Sequence, residues 1–169
     1  MRKSMFVLPL VLGAAGGMAM AGPAAAADSD VTVEVTAGTL SISAPAAPVD
    51  LGTVTASTTA QTVAAPLGDV TVTDTRGGVD GWVAAVAASP VLGTTLGGQI
   101  SYTTPAAVVV GVSTVTNADA ADILTSSNVQ TASAVSGANT AVWSPSISVT
   151  LPAGAQVGTY TSVVTHSVA

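Results

Sequence analysis

Asp69, Asp74 and Asp80 fall within one stretch, DVTVTDTRGGVDGW, which runs from Asp69 to Trp82 and also holds Arg76. Two carboxylates at the spacing of Asp74 and Asp80 could in principle divide the acid and base work of glycoside hydrolysis. Secreted sugar hydrolases also bring several aromatic side chains to a groove. After residue 27 this chain has only Trp82, Trp143, Tyr102 and Tyr160. A Ser-His-Asp triad would have to use His166, the single histidine, and no nucleophile elbow accompanies it. Asn117, Asp119 and Asp122 match part of a calcium loop but lack its glycine and its terminal bidentate glutamate, so they read as a solvated acidic turn. The chain has no cysteine, which removes thiolate zinc sites, disulfides and a cysteine nucleophile. No enzyme, metal site or cofactor is expected. The other reading of the opening stretch is a scaffold corner. Asp74 there accepts backbone N–H bonds just before a glycine turn, and Arg76 pairs with Asp74 or Asp80.

The elements that must position these residues are strands. Val31, Val33 and Val35 alternate with Thr32, Glu34 and Thr36; Val70 and Val72 alternate with Thr71 and Thr73; Ile147, Val149 and Leu151 alternate with Ser146, Ser148 and Thr150. Period-two alternation in Val and Thr is the pattern of a half-buried strand. On a strand beginning at Gly81, Trp82, Ala84, Val86 and Ala88 share one face. Turn signals separate the runs at Ala37-Gly38, Ala44-Pro45, Arg76-Gly77-Gly78, Thr104-Pro105, Ser136-Gly137 and Pro152-Ala153-Gly154. Early strands are expected over 31–43, and a C-terminal segment, 157–168, paired inside a sheet. Only 117–124, NADAADIL, has any helical character, and 113–139 reads as the least patterned stretch, a long mobile connection. The expected fold is all-β, an Ig-like or jelly-roll-type β-sandwich forming a single domain.

The N-terminus sets the compartment. Arg2 and Lys3 precede an apolar run from Met5 to Met20, and Ala25-Ala26-Ala27 fits the A-x-A cleavage rule. Pro9 and the glycines at 13, 16 and 17 interrupt that run, which argues against a spanning helix. Residues 1–27 therefore read as a signal peptide, with Asp28 as the new N-terminus; cleavage after Ala21 is the alternative. The mature chain, 28–169, then keeps Arg76 as its one strong base against nine acidic residues. Such a chain repels nucleic acid and anionic lipid surfaces, so neither nucleic acid nor membrane is an expected partner.

The order of features resembles the WxL domain of Gram-positive cell-surface proteins, in its short, Ala- and Thr-rich actinobacterial form. The resemblance rests on LSISAP at 40–45, LGDVTVTDTRG at 67–77, GW at 81–82, VWSPSISVTLPAG at 142–154 and GTYTSVVTHSV at 158–168. In the first tryptophan motif Gly81 and Trp82 match, and Ala84 stands at the leucine position. In the second, Tyr160, Val164 and Thr165 match, His166 stands at the tryptophan position and Val168 at the leucine position. The resemblance implies a noncatalytic module that is secreted and held noncovalently to the cell wall, with peptidoglycan or an attached polymer as partner. Trp82, Tyr160 and His166 are then the candidate ligand-binding residues. The alternative is a structural or adhesive subunit that binds other surface proteins without affinity for glycan. No sortase motif or hydrophobic tail is found, so retention is expected to be noncovalent, or the protein is released.

Overall fold

The structure, a computed structural model, describes residues 29–89 and 98–169. The expected signal peptide, 1–27, lies outside the described residues. The chain divides into two units at Glu34/Val35, and residues 29–34 of the first have no regular secondary structure and are exposed.

The second unit is all-β, and no helix occurs among the described residues. Its strands are β1 (Leu40–Ser43), β2 (Gln61–Pro66), β3 (Val70–Asp74), β4 (Trp82–Ala88), β5 (Ile100–Thr103), β6 (Val108–Asn117), β7 (Ser127–Trp143), β8 (Ser146–Leu151) and β9 (Val164–Val168). Two antiparallel sheets form a sandwich. The larger follows the order β1-β3-β7-β4-β9, with β6 also on β7, and the smaller is β2-β8-β5. The larger sheet is organised by β7. Strand β6 runs along one edge of it, while β3 takes Asn139–Trp143 and β4 takes Ser127–Ala132 of the other edge. The sheet curls as a result, and β1 and β9 approach each other in a near-barrel arrangement.

Alternation sorts the side chains into two cores. One lies between the sheets and contains Val86, Ile100, Tyr102, Ile123, Val129, Ile147 and Val149. The other lies inside the curl and contains Val70, Val72, Trp82, Ala84, Val135, Ala141 and Trp143. Trp82, Ala84, Val86 and Ala88 are all buried, and the residues between them are half-buried. One strand thus feeds both cores.

Five sequence expectations differ from the structure. The alternating 31–36 segment is not a strand. Val31, Val33 and Val35 are exposed; backbone bonds to Thr75 begin at Gly38 and Thr39, and the β1 ladder begins at Leu40, opposite Asp74. Alternation records a preference for the extended state, and a ladder also needs a neighbour. Residues 117–124 form no helix; the Asn117 end of β6 leads into an irregular turn held by an Ala120–Tyr102 bridge. Within 113–139, residues 113–117 and 127–139 belong to the β6–β7 pair, and only 118–126 is a connection. The register shifts near Gly111 and Val112 on β6 and opposite Ala84/Ala85 on β4. Each bulge resets which face a residue occupies, so Val129 and Gln130 are buried side by side and no single period survives. Gly111 at φ +93° provides the left-handed residue that the first shift needs. Ser136-Gly137, expected as a turn, lies inside β7 at this irregularity. Of the C-terminal segment, only Val164–Val168 is a strand, paired to β4, while 157–163 is irregular.

Candidate functional site

The stretch Asp69–Trp82 forms a corner between β3 and β4. Asp74 ends β3 with 2% of its side chain exposed and grips Arg76, which is 32% exposed. Arg76 Nε donates to Asp74 Oδ1 at 3.0 Å, Nη2 to Oδ2 at 2.9 Å, and the Arg76 backbone N–H to Oδ1 at 3.0 Å. The same Nη2 reaches the carbonyls of Asp80 and Gly81 at 3.1 and 3.0 Å. One guanidinium thus ties both ends of the connection, and the planar two-point pairing fixes its geometry. The Arg76 hydrogen bonds hold the Asp74 carboxyl below its ordinary value of 3.8 against the opposing effect of burial. Gly81 must be glycine here because a Cβ would collide with the Ala132 carbonyl oxygen. Asp69 accepts from Ser144 Oγ. The Asp74 carboxylate is buried and fully engaged, so it is not available to a substrate.

The acidic turn is tied to Thr104, just after β5, and to its own backbone. Asp119 Oδ1 accepts the Thr104 N–H at 2.6 Å, Asn117 Nδ2 donates to the Thr104 carbonyl at 2.6 Å, and Asp122 Oδ1 accepts the Leu124 N–H at 3.0 Å. No group of three or more metal-ligating side chains occurs among the described residues.

The three candidate binding residues separate. Trp82 is 2% exposed, packs in the core inside the curl, and donates its indole N–H to Asn139 Oδ1 at 3.2 Å. Tyr160 and His166 instead line a common cleft of about 910 Å³. The segments 44–57 and 155–164 bound it, and the Gly154 N–H to Ser57 carbonyl bond, 2.8 Å, ties their bases together. Its accessible apolar surface comes from the half-buried Leu51, Val63, Leu67 and Leu151, with the buried core residues Ile100, Ile147 and Val149 of the smaller sheet also in the lining. Gln61, Ser57, Gln156, Thr159, Tyr160 and His166 add amide, hydroxyl and ring groups. Asp50 is the only charged residue among the described residues of the lining. The Tyr160 hydroxyl donates to the Gln156 carbonyl at 2.6 Å, which fixes the ring at the rim.

His166 joins the cleft to the interior. It is half-buried on β9, and its Nε2 lies 2.9 Å from the Tyr102 hydroxyl, which also accepts the Trp143 indole N–H at 3.3 Å. The Tyr102 hydroxyl has a proton to donate and a further lone pair to accept with, so the direction of its bond to His166 Nε2 follows the imidazole tautomer. Burial pushes the Tyr102 hydroxyl up to about 12 and holds His166 below its ordinary 6.5. Tyr102 and Trp143 were not singled out from the sequence, since partners 64 and 41 residues apart leave no local signal.

Both depressed pKa values predict acid sensitivity in two steps. A group whose folded pKa is lowered contributes stability above its unfolded value and loses it as the pH falls through the folded value. For His166 the loss starts below 6.5, and for Asp74 below 3.8. The melting temperature is therefore expected to decline from pH 7 towards pH 5, and again below pH 4. His166→Gln should flatten the first decline only. An unchanged first decline in that variant would remove His166 as its cause.

Comparison with protein-family models, with curated proteins and with solved structures finds no significant match to this chain.

Proposed function

We propose that the protein is a noncatalytic cell-envelope module of WxL type that holds the uncharged sugar backbone of the cell-wall polymer peptidoglycan in the cleft at Tyr160 and His166. One observation carries this reading: the cleft combines an apolar wall with amide and hydroxyl groups and a single charge, Asp50. Sugar rings present apolar faces edged by hydroxyls, and N-acetyl groups add methyls and amides. Such a ligand matches a mixed lining better than a charged metabolite does. The pattern of few precisely placed polar groups on an apolar surface is typical of binding clefts. The Tyr160 ring supplies a flat contact for a sugar face. The N-terminal export pattern and the sequence resemblance both support placement at the cell surface. In this reading the first tryptophan of the motif packs the domain, and ligand contact falls to the second motif.

Cosedimentation of the chain from Asp28 with purified peptidoglycan tests the proposal. The wild-type protein should pellet with the polymer. Tyr160→Ala should bind about tenfold more weakly, equivalent to ~1.4 kcal/mol, while Val79→Ser, on an exposed residue outside the cleft lining, should not. Wild-type protein that stays in the supernatant, or a Tyr160→Ala variant that pellets like wild type, would overturn it.

A further inference from the structure

Two features of the chain have no place in the cleft. The first is the segment SDVTVEVT, residues 29–36. Its three valines, Val31, Val33 and Val35, are 91%, 90% and 88% exposed, although the segment has the alternation of a strand. The second is the outer edge of β6. One edge of that strand pairs with β7, and no strand pairs with the other among the described residues. Its outer face carries Val108, Val110 and Val112, exposed by 72%, 67% and 60%, while Val109 and Val115 turn towards the core.

Edge strands are usually guarded by charge, proline or short length. Three other edges of this fold have such guards. β1 is four residues long, β2 ends in Pro66, and β5 is covered by the Tyr102–Ala120 bridge. β6 is ten residues long, with no charged residue and no proline, and only its bulges break it. The chain thus carries an unpaired donor and an unguarded acceptor of the same valine spacing.

We infer that residues 31–36 of one copy add as an antiparallel strand to the free edge of β6 in a second copy, matching Val31, Val33 and Val35 with Val112, Val110 and Val108. Strand addition draws affinity from main-chain hydrogen bonds and specificity from alternate side chains. Cross-strand valine pairs then cover both exposed stripes at once. The acidic arm residues, Asp30 and Glu34, meet a strand without charge, so no like charges oppose each other on β6. Arm and edge are different surfaces, so the contact closes when two copies exchange arms and otherwise propagates as a chain. The arm begins beside the expected cleavage site, so export would free it. The contact uses no residue of the cleft.

Analytical ultracentrifugation of the chain from Asp28, across a concentration series, tests the inference. The wild-type chain should sediment above single-chain mass. Removal of residues 28–36, Val33→Lys or Val110→Lys should each return it to single-chain mass with an unchanged melting temperature, because both valines are exposed. An equimolar mixture of Val33→Lys with Val110→Asp should recover the heavier species through the new charge pair. A wild-type chain of single-chain mass at every concentration would overturn the inference. So would a heavier species that survives removal of the arm, which would point to pairing of two β6 edges, or one that survives Val110→Lys.

Discussion

Removal of residues 163–169 is expected to abolish cooperative unfolding. Strand β9 completes the larger sheet by pairing Val164–Val168 with Ala84–Ala88 of β4. The ladder continues past the strand, where Val83 and Ala169 exchange backbone bonds of 2.8 and 3.1 Å, and starts before it, where Ser89 N–H meets the Val163 carbonyl at 2.8 Å. Along those few residues, Val164 packs on the core between the sheets and Val168 on the core inside the curl. His166, between them, holds the buried Tyr102 hydroxyl. Each backbone bond is worth about 1 kcal/mol net, and a domain of this kind stands only about 5–15 kcal/mol above its unfolded chain. Losing the ladder, two apolar contacts and the partner of Tyr102 together approaches that total. It also opens β4, whose buried face serves both cores. The shortened chain should show no cooperative thermal transition by circular dichroism. A single transition at the wild-type midpoint would show that β9 is dispensable.

How far the structure could be read from the residues depended on whether the information was local. β3 and β8 follow from Val70/Val72 and Ile147/Val149/Leu151, because straight strands inside a sandwich preserve period two. β4 shows the same regularity, and its inward face is the one that alternation assigns. β7 defeated the same rule because its bulges put Val129 and Gln130 side by side in the interior and left Ala134 at φ +50°. At 31–36 the rule failed in the opposite direction, since it detects a strand former and not its neighbour. The corner at Asp74 and Arg76 was legible because its partners lie within seven residues of Asp74. The cleft was not. Two segments without periodicity, 44–57 and 155–164, bound it, and they lie far apart in the chain. Tyr160 and His166 reached it through motif resemblance, and their shared lining depends on tertiary placement.

Trp82→Ala is expected to destabilise the fold by about 3–5 kcal/mol, the cost of emptying a buried tryptophan site. Trp82 is 2% exposed and packs with Val70, Val72, Val135 and Trp143 where β3, β4 and β7 converge. Its indole N–H is also the donor that Asn139 Oδ1 faces. Asn139 is 5% exposed and lies opposite Asp74 in the β3–β7 register, and its side chain also helps to hold the Asp74 carboxyl ionised. The tryptophan therefore supports the Asp74–Arg76 corner through one intermediary. Trp82→Phe separates the two contributions: it retains a large ring but strands the buried acceptor, at about 1–3 kcal/mol. Guanidinium unfolding should thus rank wild type above Trp82→Phe and Trp82→Phe above Trp82→Ala. Asn139→Ala should cost less in Trp82→Phe than in wild type, because the indole bond is already lost and only the contacts of its amide nitrogen remain to lose. Peptidoglycan cosedimentation of Trp82→Phe should equal wild type under conditions where both are folded. A folded Trp82→Phe that loses the polymer while keeping its stability would move the ligand contact from the Tyr160 cleft to the tryptophan itself.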